Sequence, residues 1–275
     1  MKRKILFLML LLGVTLSLSC ELDGFLFNTK KIDKYELPGN TIPDSLIEEV
    51  VMESGGNKIY GFWIESGQGD LPNISILYCH GNKHHIDEYW DRVMYLHRLG
   101  VRIFIYDYRG YGRSEGKSSE KSMHEDAEAA LEFLLTKESS AKNIVFYGYS
   151  LGNVASIYLA AEKFTPRCLI AECPFASANS LTQGSSILDL PAQWLTTGKF
   201  DNAENIKQIK TPLLLLHGGD DDFIRYRDNG KVVYDNAPEP KSVKVVPGAD
   251  HTDIPETMGV DNYLIVVEDW IKASE

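Results

Sequence analysis

Hydrophobic positions along the chain fall into short continuous runs, separated by longer stretches in which they recur every three or four residues. Two β-rich runs come first, Ile47–Glu53 and Lys58–Glu65, and the Ser54-Gly55-Gly56-Asn57 linker between them predicts a hairpin. Apolar strands then alternate with helical patterns. The strands are Ile74–Cys79, Val101–Tyr106, Asn143–Tyr147, Cys168–Glu172, Leu213–Leu216 and Ser242–Val246. The helices are Glu88–Leu99, Ser119–Thr136, Leu151–Glu162 and Pro255–Lys272. Strands that are apolar throughout have no face for water, so helices must cover both sides of the sheet they form. The expectation is an α/β fold: a mainly parallel eight-stranded sheet with helices on both faces and an antiparallel opening hairpin. Residues 174–211 break the alternation and carry Phe175, Trp194, Leu195 and Phe200. An insertion of that length between strands is usually functional, and it reads as a small cap insertion. The main domain is expected over 46–275, with residues 20–45 a lead-in that wraps it.

The first nineteen residues have a different pattern. Lys2, Arg3 and Lys4 precede an apolar stretch from Ile5 to Leu18, and small residues follow near Ser19, as in a secretory signal peptide. The apolar stretch is shorter than the roughly 20 residues that a bilayer-spanning helix needs. Cys20 comes next, and the segment resembles a bacterial lipoprotein signal, in which the cysteine after the cleavage point receives lipid. That resemblance implies export and attachment to the cell envelope through Cys20, with a secreted soluble protein as the alternative.

Composition narrows the partners. Removing residues 1–19 takes away three of the 28 basic residues and none of the 39 acidic ones, so the formal charge moves from −11 to −14. Such a surface repels nucleic acid and anionic lipid headgroups. Cys79, Cys168 and Cys173 show no CxxC pairing or metal-ligand spacing, and the first two sit in apolar strands as small buried hydrophobes. The adjacent His84 and His85 diverge from each other and lack an H-E-x-x-H frame, so no metal site is expected.

Gly148-Tyr149-Ser150-Leu151-Gly152 matches G-x-S-x-G and lies between the strand Asn143–Tyr147 and a helical stretch. A serine in that turn takes a strained backbone conformation that projects its hydroxyl above the sheet at a helix N-terminus. The hydroxyl needs a base. Of seven histidines only His217 and His251 follow Ser150, and His217 closes a strand with little chain left for an intervening acid. His251, in the loop after the last strand, is the better base. The acid belongs on the loop after Leu213–Leu216, where Asp220, Asp221 and Asp222 all stand, and spacing does not choose among them. After the strand Ile74–Cys79, Gly81 in His80-Gly81-Asn82 allows a sharp turn. The Asn82 backbone N–H can then meet an oxyanion, with the Leu151 N–H as second donor.

Together, His80-Gly81-Asn82, the run Tyr106-Asp107-Tyr108-Arg109-Gly110-Tyr111-Gly112-Arg113-Ser114-Glu115-Gly116 and the Ser150 turn resemble the α/β-hydrolase superfamily. Glu172-Cys173-Pro174-Phe175, His217-Gly218 with Asp221, and Gly248-Ala249-Asp250-His251 agree with it. The chain is most similar to small-cap serine hydrolases, which include protein depalmitoylases and serine aminopeptidase-like proteins. The resemblance places the acid four residues after the histidine of the His-Gly pair, which selects Asp221 with Asp222 as fallback. Asn153 departs from the family, where a second glycine is common.

The resemblance implies two-step acyl transfer on a small-molecule or acylated substrate, without a cofactor. Esters and thioesters are favoured because alkoxides and thiolates leave more readily than amide nitrogen. Phe175, Trp194, Leu195 and Phe200 are candidates to line an acyl pocket. A serine aminopeptidase is the enzymatic alternative. A non-catalytic envelope lipoprotein using the fold as a binding scaffold is the alternative of another class.

Overall fold

The computed structural model describes residues 26–184 and 198–274. Eight strands form one sheet: β1 (Ile47–Ser54), β2 (Asn57–Ile64), β3 (Ser75–Cys79), β4 (Arg102–Tyr106), β5 (Ile144–Tyr149), β6 (Cys168–Glu172), β7 (Leu213–Gly218) and β8 (Lys241–Val246). Their order is β8-β7-β6-β5-β3-β4-β2-β1. Strand β2 runs antiparallel to both β1 and β4, and every other pairing is parallel. The predicted α/β sheet is therefore present, with its opening hairpin at one edge.

Alternation along the central strands sends neighbouring side chains to opposite faces, and two buried clusters result. Leu77, Cys79, Phe104 and Tyr106 pack on one face beneath α2 (Glu120–Lys137) and α3 (Gly152–Tyr158). Ile76, Tyr78, Ile103 and Ile105 pack on the other beneath α1 (Trp90–His97) and the C-terminal helix. Helix α2 opens on a capping box in which Ser119 Oγ accepts from the Ser122 amide at 3.0 Å.

The helices depart from expectation in three places. The stretch 151–162 becomes α3 and one π turn at Leu159–Lys163. The single helix expected over 255–272 is two, split where Gly259 adopts a φ of 78°. A short helix at Gly230–Asn236 follows β7 where none was expected. The described part of 174–211 holds helices at Ala178–Gly184 and Asn202–Asn205, while Trp194 and Leu195 lie outside the described residues, as does Cys20. Among the described residues no helix is long and apolar enough to cross a membrane.

The lead-in runs across the carboxyl edge of the sheet. Asn28–Thr29 pairs in parallel with Lys83–His84, just after β3. Tyr35 donates its hydroxyl to Asp107 at 2.5 Å, beyond the end of β4. These contacts place Leu26 and Phe27 at the strand ends, where open α/β sheets hold their sites.

Candidate active site

Ser150 sits between β5 and α3 with a φ of 51°, a conformation that costs an L-residue about 1–3 kcal/mol. The flanking glycines are sterically required. A Cβ at Gly148 would lie 2.2 Å from Ser156 Oγ, and one at Gly152 would lie 1.9 Å from the Cys79 carbonyl oxygen. The elbow is held by its own backbone and by Asn153. The Ser150 amide donates to the Glu172 carbonyl at 2.9 Å. Asn153 Nδ2 donates to the Ser150 carbonyl at 3.0 Å and to the Glu172 carbonyl at 2.9 Å. The residue that departs from the family pattern thus braces the turn.

His251, in the loop after β8, reaches the serine: Nε2 is 3.0 Å from Ser150 Oγ. Its Nδ1 is 2.7 Å from Asp221 Oδ2. The other oxygen of Asp221 accepts the Phe223 and Ile224 amides at 3.0 and 2.7 Å. Asp220 and Asp222 are exposed, whereas Asp221 is buried. Of three consecutive carboxylates the structure thus brings only Asp221 to the imidazole. His217, the rejected histidine, is buried in β7, and burial lowers its pKa.

The β3 turn completes the arrangement. His80 Nδ1 is 2.8 Å from the Gly81 carbonyl, and Nε2 is 3.1 Å from Asp107 Oδ1, though off the hydrogen-bond direction. Tyr108 donates to the His80 carbonyl at 2.8 Å. The Asn82 side chain turns away from the site: Nδ2 donates to the Leu26 carbonyl at 2.6 Å, and Oδ1 accepts the Asn28 amide at 2.9 Å and the Tyr111 hydroxyl at 2.5 Å. Among the described residues no acceptor meets the backbone N–H of Asn82 or of Leu151.

Two cavities meet at Ser150. One, with a volume of about 70 Å³, is apolar and is lined by Leu26, Phe27, Phe175, Leu181, Phe200 and Phe223 among others, with Asn82 and Leu151. The other is polar and wider, with Lys83, Glu88, Asp91, Arg92 and His251 in its walls. Of the four candidates for the pocket, Phe175 and Phe200 line the apolar cavity beside Ser150. Leu26, Phe27 and Phe223 were not foreseen; the run Phe25-Leu26-Phe27, three consecutive apolar residues in the lead-in, was the available signal. Phe223 is 53 % exposed, stands edge-on to the His251 ring at 5.2 Å between centroids and borders both cavities.

Cys173, Asp221 and His251 offer three potential metal-ligating atoms within 4.8 Å of one another. Two of those atoms already bond each other, and burial pushes the Cys173 thiol well above its ordinary pKa. A protonated thiol is a poor ligand, so the trio reads as a hydrogen-bonded dyad beside a packing cysteine.

Residues 71–199 match a hydrolase family model described as serine aminopeptidase, S33. An uncharacterized protein of Mycobacterium tuberculosis, Rv2307c, is 30 % identical over 208 residues, which covers 74 % of this chain and 72 % of that protein. The human α/β hydrolase domain-containing protein 17B is 30 % identical over 209 residues, 73 % of this chain and 67 % of the relative. Among solved structures, the Pyrococcus furiosus esterase Pf2001 superposes with a TM-score of 0.68 at 20 % identity, covering 90 % of this chain and 97 % of that one. The strand order, the turn that carries Ser150 and these likenesses agree, and the chain belongs to the α/β-hydrolase superfamily.

Proposed function

We propose that this hydrolase cleaves carboxylic esters or thioesters through an acyl-enzyme on Ser150. The observation that carries the reading is the unbroken run of contacts from Asp221 through His251 to Ser150 Oγ, at 2.7 and 3.0 Å, with Oγ facing an apolar cavity. His251 takes the hydroxyl proton as Oγ attacks the carbonyl carbon. Asp221 holds the tautomer with Nδ1 protonated and stabilises the imidazolium. The amides of Asn82 and Leu151, unpartnered among the described residues, donate hydrogen bonds to the oxyanion. His251 then protonates the leaving alkoxide or thiolate, and the same groups direct a water molecule at the acyl-enzyme. The acyl chain occupies the apolar cavity and the leaving group the polar one.

Labelling with a fluorophosphonate tests the nucleophile: the parent chain is expected to label and Ser150→Ala not to. Matched p-nitrophenyl esters and peptide p-nitroanilides test the bond, and faster turnover of the anilides would replace this reading with a peptidase.

We further propose that the chain is exported and held at the envelope by lipid on Cys20. Five residues separate Cys20 from Leu26, so the reach from anchor to cavity rim is at most about 20 Å. Membrane fractionation tests it: a Cys20→Ala variant that stays with the membrane as fully as its parent would end the proposal.

A further inference from the structure

Beside the site, with Arg92 in the wall of the polar cavity, lies an ion pair that the chemistry above does not use. Arg92 of α1 is 4 % exposed and Glu172, at the end of β6, is 0 % exposed. Arg92 Nη2 and Nε lie 2.8 and 3.3 Å from Glu172 Oε1. The second carboxylate oxygen accepts the Tyr147 hydroxyl, which is itself 2.6 Å from the Tyr263 hydroxyl. Placing a charged pair in a core is expensive, and apolar replacements of similar volume are often neutral or stabilising. Stability therefore gives no strong reason for the pair.

Its connections give one. The main chain of Glu172 grips the elbow, since its carbonyl accepts both the Ser150 amide and Asn153 Nδ2. The guanidinium grips the opposite loop, where Nη2 donates to the Thr252 carbonyl at 2.9 Å. It also lies 4.7 Å from the centroid of the Tyr149 ring, and the Tyr149 hydroxyl donates to the His251 carbonyl at 3.1 Å. One side of the network thus ends on Ser150 and Asn153 of the elbow and the other on the backbone of His251 and its neighbour. None of these groups touches the reacting atoms.

We propose that Arg92, Glu172 and Tyr149 form a clamp that sets the separation of nucleophile and base, acting as positioning residues. The proposal rests on the reading of Ser150 and His251 as that pair. Without the clamp the His251 loop keeps its fold but loses its register against the elbow. An error of about 1 Å there can cost on the order of 100-fold in rate. A lysine at position 92 has one compact ammonium and cannot meet Glu172 and Thr252 in the same fork geometry.

The test is ester hydrolysis by the full chain, with active sites counted by fluorophosphonate titration. Arg92→Met/Glu172→Gln removes both charges together and leaves no buried ion unpaired. It is expected to melt close to the parent while kcat falls roughly 10- to 100-fold and KM stays within about twofold. Tyr149→Phe deletes one hydroxyl and is expected to lower kcat about fivefold, the equivalent of one lost hydrogen bond. Arg92→Lys should fall between the parent and the double variant. Retention of the parent's kcat by both the double variant and Tyr149→Phe would overturn the clamp, whatever their melting temperatures. If the double variant fails to fold, Tyr149→Phe decides the matter alone. A parent chain that neither labels nor hydrolyses any ester refutes the esterase reading itself, a result distinct from active variants.

Discussion

Asp221 stands between two other carboxylates, and the backbone around it decides which of the three is used. Its Oδ1 takes two amides from its own loop, which leaves Oδ2 aimed at His251 Nδ1. Amidation at this position would present a donor to the ring and favour the wrong tautomer. Asp221→Asn is expected to lower kcat on the order of 10³- to 10⁴-fold, whereas Asp220→Asn and Asp222→Asn stay near the parent. Steady-state kinetics on one ester compares all three, and a comparable loss in Asp222→Asn would remove Asp221 from its place. A second single-residue effect concerns stability. The His124 ring lies flat on Tyr158, 3.8 Å between centroids, and burial lowers its pKa to about 4, with Glu128 and Lys163 acting in opposite senses. Unfolded, the ring takes a proton near pH 6.5. Between those values the unfolded chain binds more protons, so stability falls as pH drops through the window. His124→Phe keeps the stacked ring and is expected to lose less melting temperature between pH 7 and 5 than the parent. Equal losses would show that His124 does not contribute.

At the scale of elements, the elbow is where β5, α3 and the β3 turn come closest. A methyl at Gly152 would press against the carbonyls of Cys79 and His80 at 1.9 and 2.7 Å, and neither is free to move without displacing Asn82. Gly152→Ala is expected to destabilise the fold by about 1–3 kcal/mol or more and to separate the Asn82 and Leu151 amides. Denaturant unfolding and the rate of fluorophosphonate labelling report the two effects, and a variant unchanged in both would contradict the packing described. The same elements show what the sequence made legible. The eight strands were readable because central strands are apolar throughout, and Ser150 and His251 because their turn and loop follow strand ends. The split at Gly259 was not, since a lone glycine inside an amphipathic pattern does not announce a positive φ. Spacing alone could not separate Asp221 from its neighbours, because the choice depends on where two loop amides point. The Arg92–Glu172 pair was invisible for a related reason: eighty residues separate two ordinary charged side chains that only the tertiary fold brings together.

Across the whole molecule, the site is a junction between three distant parts of the chain. The loops at the strand ends supply Ser150, Asp221 and His251, the lead-in supplies Leu26 and Phe27, and the described part of the insertion supplies Phe175, Leu181 and Phe200. Phe27 packs against Phe200 at 6.0 Å between centroids, so lead-in and insertion close the apolar cavity jointly. Polar groups are concentrated on the far side of Ser150. A substrate that obeys this division extends its chain in one direction only, and chain length becomes the variable that the cavity measures. Burying one methylene contributes about 0.8 kcal/mol, so kcat/KM is expected to rise by at most about fourfold per carbon from the acetyl ester upward, then level off once the cavity is full. Leu181 lines that cavity without touching the serine and histidine contacts, and Leu181→Trp shortens the space available. The variant should match the parent on acetyl esters and reach its plateau several carbons sooner. If the parent is fastest on acetyl and declines with each added carbon, the apolar cavity does not receive the acyl chain. If Leu181→Trp shifts no plateau, the chain takes another route past Phe223.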